Sequence, residues 1–322
     1  MRRCGYPVRG WRVIKRHPNG TGRPVKRRDI LIGTAAAIFA VTIWAAWIVG
    51  TRYAVTSTLS PEAIGLLRMI VPALFFAPLW LRTGVAPQGV RIPLALCVIG
   101  AGAPFFIIVA TGMKFAPAAD IGPLLPGTMP LFAALLSVLI DRERIGTLRL
   151  IGYALIVAGI IAIAGRGFLN FESGAWRGHG LVLTGAFLWA MYTIAFRHSR
   201  LGPLEGAALI GFWSTLLLLP FGTQPLIDAW QAGHHWEIGV QVVIQGVFSG
   251  ILGLVCYGIA VAKLGTSRAA AFAALAPVLA ALIAIPILGE VPDLAAIIGV
   301  VATSIGVALA SGAVHARHTA PA

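Results

Sequence analysis

The chain has 322 residues, of which 58% are hydrophobic and only 11% are charged. An ordinary soluble domain carries about 25% charged residues, so this composition argues against a water-soluble globular protein. The mean hydropathy of +0.87 points the same way. The three cysteines are too few and too scattered for a disulfide framework or a thiolate metal site, and we expect neither a metal nor a cofactor.

The formal net charge of +14 is concentrated at the start of the chain, because residues 1–28 hold ten Lys and Arg and no acid. Glycines and prolines in this stretch oppose a regular helix. Residues 1–29 are therefore predicted to be a disordered cytoplasmic arm that is attracted to anionic lipid headgroups. An alternative is an over-extended gene start, with the native protein beginning near Asp29. We expect no binding to nucleic acid, since the remaining chain is only slightly basic.

Apolar runs of about 20 residues, each long enough to cross a bilayer, recur along the chain. Such long and uniform runs suit helices rather than the alternating strands of a barrel. The predicted fold is an all-α integral membrane protein with ten transmembrane helices. The predicted spans are 30–50, 61–81, 92–112, 118–140, 148–165, 179–197, 204–222, 238–261, 268–289 and 293–312.

Lys and Arg in the connections predict the orientation, since cytoplasmic loops retain positive charge. With the N-terminus inside, the inner segments hold twenty of the 25 Lys and Arg, the outer loops hold four, and one lies within a span. Both termini are therefore predicted to be cytoplasmic. Residues 166–178 are then an outer connecting loop, and residues 313–322 are a cytoplasmic tail.

The two halves of the chain resemble each other. Residues 130–165 match residues 277–312 at a constant offset of 147, and the starts of the halves match at an offset near 145. Each half holds five spans, so the second copy enters the membrane from the opposite side. We therefore predict two inverted five-helix repeats, 30–165 and 179–312, of the kind found in secondary transporters. The matched pairs include Pro130/Pro277, Glu143/Glu290, Gly152/Gly299, Gly159/Gly306, Trp44/Trp189 and Arg52/Arg197.

These features resemble the ten-helix EamA-type transporters of the drug/metabolite transporter superfamily, over residues 30 to about 312. The resemblance implies two EamA repeats, a central cavity, and movement of small metabolites or drugs across the bacterial inner membrane, often outward. It does not fix the substrate. The motifs that carry it are Trp44 followed by Arg52, Pro61 with Arg68, and the string from Pro130 to Glu143, repeated from Pro277 through Glu290 to Gly312.

Two charged residues lie inside predicted spans and are candidate functional groups. Arg68 is seven residues into the second span, about 10 Å below its outer end at 1.5 Å per residue. A charge at this depth usually faces the protein interior, so Arg68 is a candidate anchor for an anion or carboxylate, with snorkelling or helix stapling as alternatives. Asp120, at a similar depth in the fourth span, is the candidate proton-coupling residue. A helix N-cap is its alternative.

The fourth and eighth spans carry further candidates for substrate binding. Residues 122–130 include three prolines and two glycines, so we expect a kinked or unwound helix whose freed carbonyls face substrate near Pro126 and Thr128. In the eighth span, a polar stripe runs along one helical face and either lines a cavity or packs between helices. Its candidate binding residues are Gln245, Ser249 and Tyr257.

Trp44 and Trp189 are the favoured aromatic candidates, because the repeat places them at equivalent depths in the two halves. They could contact substrate by stacking or by cation–π interaction. Packing or interfacial anchoring is the alternative reading of tryptophans in membrane helices.

An intramembrane enzyme is the main rival class. All seven histidines are predicted to lie in the arm, in loops or at span ends, so we expect no buried base, and no metal or nucleotide motif appears. A channel and a sensor that binds ligand without flux are further alternatives. The sequence therefore predicts a secondary transporter that exports a small metabolite or drug-like compound, such as an amino acid or a relative of one, by alternating access. Proton coupling and facilitated diffusion both stay open.

Overall fold

The computed structural model describes residues 27–85, 90–199 and 201–313. Within these ranges the chain forms helices joined by short connections, and it contains no β-strand. The prediction of an all-α protein is therefore confirmed. Most of the predicted basic arm and most of the predicted C-terminal tail lie outside the described residues.

The described part of the first half contains eight α-helices. They are α1 (Arg27–Ser57), α2 (Pro61–Phe75), α3 (Ala77–Thr83), α4 (Ile92–Gly100), α5 (Ala103–Gly112), α6 (Ala118–Leu124), α7 (Met129–Asp141) and α8 (Thr147–Leu169). The second half contains seven helices, with a π-helical segment, Val242–Leu252, between the third and the fourth of them. They are α9 (Ala175–Ser199), α10 (Pro203–Gln231), α11 (His235–Gln241), α12 (Gly253–Leu264), α13 (Thr266–Phe272), α14 (Ala276–Leu288) and α15 (Leu294–Ala310).

Eight helical runs in the described part of the chain are long and apolar enough to cross a membrane. The other two predicted spans correspond to shorter helices. α15 has 17 residues, at the lower limit of about 17 for a spanning helix. The span predicted at 61–81 is divided between α2 and α3 at Phe76, because Pro78 has no N–H to continue the helical hydrogen bonding. The eight runs are Arg27–Ser57, Ile92–Gly112, Ala118–Asp141, Thr147–Gly167, Ala175–Ser199, Pro203–Gln231, His235–Leu264 and Thr266–Leu288.

The proline-rich stretch interrupts the fourth span between α6 and α7, as its composition predicts. Because Pro130 has no N–H, the carbonyl of Pro126 loses its usual helical partner four residues later. The hydroxyl of Thr128 donates to the carbonyl of Leu124 at 2.6 Å and partly replaces the missing backbone bonds. The broken backbone is covered by protein, since Thr128 and Leu124 are fully buried.

The last helices of the two halves, α8 and α15, pack antiparallel at close range. A Cβ atom on Gly152 would lie 2.6 Å from the carbonyl oxygen of Gly306, and one on Gly306 would lie 2.6 Å from that of Gly152. Further along, a Cβ atom on Gly159 would lie 3.0 Å from the carbonyl oxygen of Gly299. In the sequence repeat, Gly152 matches Gly299 and Gly159 matches Gly306. Gly152 therefore contacts Gly306, the equivalent of Gly159, and Gly159 contacts Gly299, the equivalent of Gly152.

The most extensive packing between described helices joins the two halves. α2 packs along α10, α1 packs along α12, and α5 packs along α9. The last pair approaches closely enough that a Cβ atom on Gly178 would lie 2.7 Å from the carbonyl oxygen of Gly112. Small residues at such crossings let helix backbones approach where lipid provides no hydrophobic drive for association. The halves are interlocked and share one core.

The α8–α15 contact predicts an unequal response of two glycines in one helix. Gly152→Ala should destabilise the protein by about 1–3 kcal/mol, because the added methyl group meets backbone rather than a movable side chain. Gly165→Ala in the same helix is the control, since nothing lies within 4 Å of its added Cβ and alanine favours helix. Thermal unfolding in detergent should show a lower midpoint only for Gly152→Ala. Equal midpoints would contradict the packing described here.

Candidate functional site

A cavity of about 620 Å³ lies between the two halves. This volume is within the usual range of about 300–1,000 Å³ for small-molecule sites. Its walls come from α1, α2, α5, the broken fourth span, α8, α9, the π-helical segment, α12, α13, α14 and α15, so both repeats contribute. Most of the lining is aromatic or aliphatic, and the aromatic members are Trp44, Trp47, Phe105, Trp189 and Tyr257.

Arg68 of α2 is the charged side chain in the deep part of the cavity. Its Nη1 donates to the hydroxyl of Ser249 at 2.7 Å and to Oε1 of Gln245 at 3.2 Å. The guanidinium carbon lies 4.9 Å from the centre of the Trp47 ring and 5.6 Å from that of Phe106. Two hydrogen bonds to neutral acceptors and two cation–π contacts therefore fix the position of the guanidinium.

Gln245 is oriented by its own hydrogen bonds. Its Nε2 donates to Oγ1 of Thr51 at 2.8 Å and to Oε1 of Gln241 at 3.0 Å. The amide oxygen of Gln245 is therefore left to accept from Arg68. Gln245 and Ser249 both lie in the π-helical segment, and short π-helical stretches are frequent at functional sites.

The cavity has no acidic residue in its lining. All eleven Asp and Glu residues of the chain lie in the described ranges, and none of them forms an ion pair with Arg68 there. A buried cation without a counter-charge is costly. The site is therefore electrostatically suited to an anionic group, and a guanidinium binds a carboxylate with charge-assisted hydrogen bonds.

Trp44 and Trp189 stand at equivalent places in the two halves and both face the cavity. The ring of Trp44 lies 5.2 Å from that of Tyr257, and the ring of Trp189 lies 5.1 Å from that of Phe105. Tilted aromatic pairs of this kind give a rigid apolar surface. The cavity can therefore accept an apolar or aromatic body next to the cationic Arg68.

An ion pair closes one end of the cavity, which is the predicted outer end. Nε of Arg52 lies 2.9 Å from Oε1 of Glu290, and Nη1 of Arg52 donates to the carbonyl of Met113. Oε2 of Glu290 accepts from the backbone amide of Ala118 at 2.6 Å. The two charged side chains are only 17% and 19% exposed. These contacts tie α1 and the end of α14 to the connection between α5 and α6.

A second charged cluster lies at the same end. Oδ2 of Asp120 contacts Nη2 of Arg166 at 2.6 Å and Nε2 of His179 at 2.9 Å, and Arg166 also pairs with Asp293. Asp120 is fully buried and His179 is 2% exposed. Oδ1 of Asp120 and Nδ1 of His179 have no hydrogen-bond partner among the described residues.

Asp293 links this cluster to the start of α15. It is the N-cap of that helix, and Oδ1 accepts from the amide of Ala296 at 2.9 Å. Partial burial tends to raise the pKa of Asp293, but the hydrogen bonds from Ala296 and Arg166 and the charge of Arg166 outweigh it and lower the pKa. This carboxylate therefore stays ionised, and its contribution to closure is lost only as the pH falls through that lowered value.

The cavity reaches exposed side chains at its opposite end, where the side chain of Arg149 is 44% exposed. Its lining continues to Arg149 near the start of α8 and to Ser311 after the end of α15. α8 and α15 are antiparallel, so Arg149 and Ser311 lie at the end away from Arg166 and Asp293. One end of the cavity is therefore next to nearly buried ion pairs, whereas the other end reaches exposed side chains.

The structure brings most of the predicted binding residues together. Six of the eight line the cavity: Trp44, Arg68, Pro126, Trp189, Ser249 and Tyr257. Gln245 lies behind the wall and positions Arg68, while Thr128 is used to bond the broken backbone. Asp120 lies outside the cavity in the cluster with Arg166, and the N-cap of α6 is Pro117 rather than Asp120.

The expectation that no histidine is buried is wrong. His179 lies inside α9, because that helix begins at Ala175 instead of at the predicted residue 179. Its neighbour Gly178 lies at a close helix crossing, but the partner Asp120 is 59 residues away in the sequence and gave no local signal. Sequence reasoning also missed Trp47 and Phe105, whose spacing does not distinguish a cavity wall from ordinary packing.

These features define a class: a multi-pass helical membrane protein with a central cavity between two related halves. The model of the EamA-like transporter family matches the chain twice, over residues 31–165 and 176–312. The chain belongs to the EamA-like transporter family. The resemblance to EamA-type transporters is therefore confirmed, and the family points to a transporter rather than an enzyme.

Two curated relatives are named as transporters. A "probable terminal-alkyne amino-acid exporter" of Streptantibioticus cattleyicolor is 27% identical over 283 residues, covering 82% of this chain and 88% of the relative. The "uncharacterized transporter YyaM" of Bacillus subtilis is 23% identical over 227 residues, covering 68% and 71%. A solved structure described only as the crystal structure of a protein has a TM-score of 0.55 at 18% identity. It covers 90% of this chain and 99% of that one, and it shares the fold.

The open and closed ends predict unequal labelling of two single cysteines, with Cys4, Cys97 and Cys256 replaced by serine. Ala273→Cys lines the open cavity, whereas Ala116→Cys is fully buried at the closed end. An impermeant maleimide added at the predicted cytoplasmic face should label Ala273→Cys at least about tenfold faster than Ala116→Cys, which corresponds to about 1.4 kcal/mol in the opening equilibrium. Faster labelling of Ala116→Cys from the outer face would reverse the assignment of the two ends.

Proposed function

We propose that all ten predicted spans cross the membrane, as two five-helix repeats of inverted topology. The reciprocal glycine contacts of α8 and α15 support this arrangement. Two equivalent helices that pack antiparallel are related by a twofold axis perpendicular to both. When the helices cross a membrane, such an axis lies in the membrane plane, which is the relation between inverted repeats. α2 and α3 together would form the second span, and α15 the tenth.

The protein functions, on this proposal, as a secondary transporter that works by alternating access. The observation that carries the proposal is the cavity around Arg68, which lies between the halves and is closed at one end by buried ion pairs. Rocking of one half against the other would open the cavity to each side in turn. A static channel would need no such one-sided closure.

The proposed substrate is a small compound with a carboxylate and an apolar body, in the chemical class of amino acids and their relatives. Arg68 would bind the carboxylate, with Ser249 and Gln245 keeping the guanidinium oriented. Trp44 and Trp189 would contact the apolar part. The printed name of the Streptantibioticus relative, an amino-acid exporter, is consistent with this class. Pro126 supplies a carbonyl without a helical partner, which can accept from a substrate amine.

The proposed location is the inner membrane of a bacterium, with both termini in the cytoplasm. The excess of Lys and Arg in the predicted inner connections supports this orientation. The cavity then opens to the cytoplasm in the present structure, as an exporter needs in order to take up its substrate. A sensor that binds ligand without flux is the second candidate, and the same cavity would serve it.

The test of the substrate site is uptake and efflux in proteoliposomes with a panel of labelled amino acids and related carboxylates. Arg68→Gln should raise the half-saturating concentration about 10- to 100-fold, the loss expected for a charged hydrogen bond worth about 1.5–3 kcal/mol. Arg82→Gln is the control, since Arg82 is exposed at the end of α3. Unchanged saturation in Arg68→Gln would refute the site, and binding without any flux would favour the sensor.

We propose further that Asp120 carries the coupling proton and that His179 shares it. Both residues are buried in contact, each has one ring or carboxylate atom without a partner, and Arg166 and Asp293 complete the cluster that faces them. Protonation of Asp120 would weaken its bond to Arg166 and so loosen the outer closure. Protons entering from outside would then favour the state in which substrate leaves.

The test of coupling is efflux measured with and without a pH gradient that is acidic outside. The gradient should accelerate wild-type efflux, and this acceleration should be lost in Asp120→Asn and reduced in His179→Gln. Glu172→Gln is the control, because Glu172 is an exposed carboxylate of the outer connection. Wild-type efflux that ignores the gradient would instead establish facilitated diffusion.

A further inference from the structure

The repeat that relates α8 to α15 also relates the outer ion pair to two residues at the inner end. Arg52 of the first half is equivalent to Arg197 of the second, and Glu290 of the second half is equivalent to Glu143 of the first. The outer pair takes one member from each half. A twofold relation between the halves therefore converts the pair Arg52–Glu290 into the pair Arg197–Glu143.

Arg197 and Glu143 lie near one another but have other partners in this structure. Both line a pocket of about 160 Å³ at the inner end. Nη1 of Arg197 lies 3.3 Å from Oδ2 of Asp141, and Oε1 of Glu143 lies 3.9 Å from Nη1 of Arg149. The inner end therefore has the same arginine and glutamate as the outer pair, but Arg197 and Glu143 are not paired with each other.

The exposure of the two sets follows the state of each end. Arg52 and Glu290 are 17% and 19% exposed, whereas Arg197 and Glu143 are 53% and 48% exposed. An ion pair between exposed side chains contributes little, and the attraction grows as water is excluded. Arg52 and Glu290 are therefore paired with each other and nearly buried, whereas Arg197 and Glu143 are half-exposed and contact other residues.

We propose that Arg197 and Glu143 form the inner closure of the transport cycle. In the state open to the outside, Arg197 leaves Asp141 and pairs with Glu143, while Arg52 and Glu290 separate and become solvated. The inference rests on the proposed transport by alternating access. The position equivalent to Asp141 in the second half is Leu288. Arg197 therefore has an alternative acidic partner in Asp141, whereas Arg52 has no acid at the equivalent position.

The first test exchanges charges and measures flux in proteoliposomes. Arg197→Glu and Glu143→Arg should each reduce flux about tenfold or more, because like charges then meet in the inner-closed state. The double variant should recover to within about threefold of wild type. The control is the exchange Arg197→Asp with Asp141→Arg, which swaps the present partners and should give no recovery. Recovery in the control but not in the first pair would overturn the proposal.

The second test needs no substrate. Spin labels on Arg144→Cys and Leu201→Cys, with Cys4, Cys97 and Cys256 replaced by serine, report the separation of the inner ends. Breaking the outer pair with Glu290→Gln should add a population with a shorter distance, and adding Glu143→Gln should remove it. An unchanged distance distribution overturns the inner closure. A shorter population together with no flux for any substrate leaves the closure intact and refutes transport.

Discussion

Every charge inside the membrane-spanning part must be solvated by the protein, because lipid offers neither water nor counter-ions. This constraint places the polar groups described here at two levels. Arg52 and Arg166 neutralise Glu290 and Asp120 near one end, and Arg68 in the middle has only neutral partners. The cavity therefore contains a cation, Arg68, that has no acidic partner, while ion pairs connect the helices at the predicted outer end.

Much of the fold was predictable from the sequence because it depends on composition and on long periodic runs. The apolar spans, the repeat and the break at the prolines before Pro130 all follow from local residue properties. The division of the second span at Phe76 and the short α15 were less predictable, because helix ends depend on tertiary packing. α10 is also longer than the predicted span 204–222: it runs to Gln231, with Pro220 and Pro225 inside the helix.

The candidate site was predictable only where a polar or charged residue lay within an apolar span. Arg68 and the polar stripe with Ser249 were found because polar side chains inside an apolar span usually face the protein interior. Trp47 was missed because one more aromatic residue in an apolar helix carries no signal. His179 was missed for a different reason. Its buried contact is with Asp120, 59 residues away, and such a contact depends on how the helices pack rather than on the local sequence.

The two ends of the molecule have different charged contacts, although the two halves are related in sequence. The Arg–Glu pair is present at both ends in sequence, but the cluster around Asp120 exists at one. The positions equivalent to Asp120, Arg166 and Asp293 hold Ser267, Ala313 and Gly146, which cannot form a charged cluster. The repeat therefore does not reproduce this cluster at the inner end, where the described ion pairs join partly exposed side chains instead. On the proposed alternating-access cycle, the cluster around Asp120 adds contacts to the outer closure that the repeat does not supply to the inner one, and this difference favours the state open at the inner end.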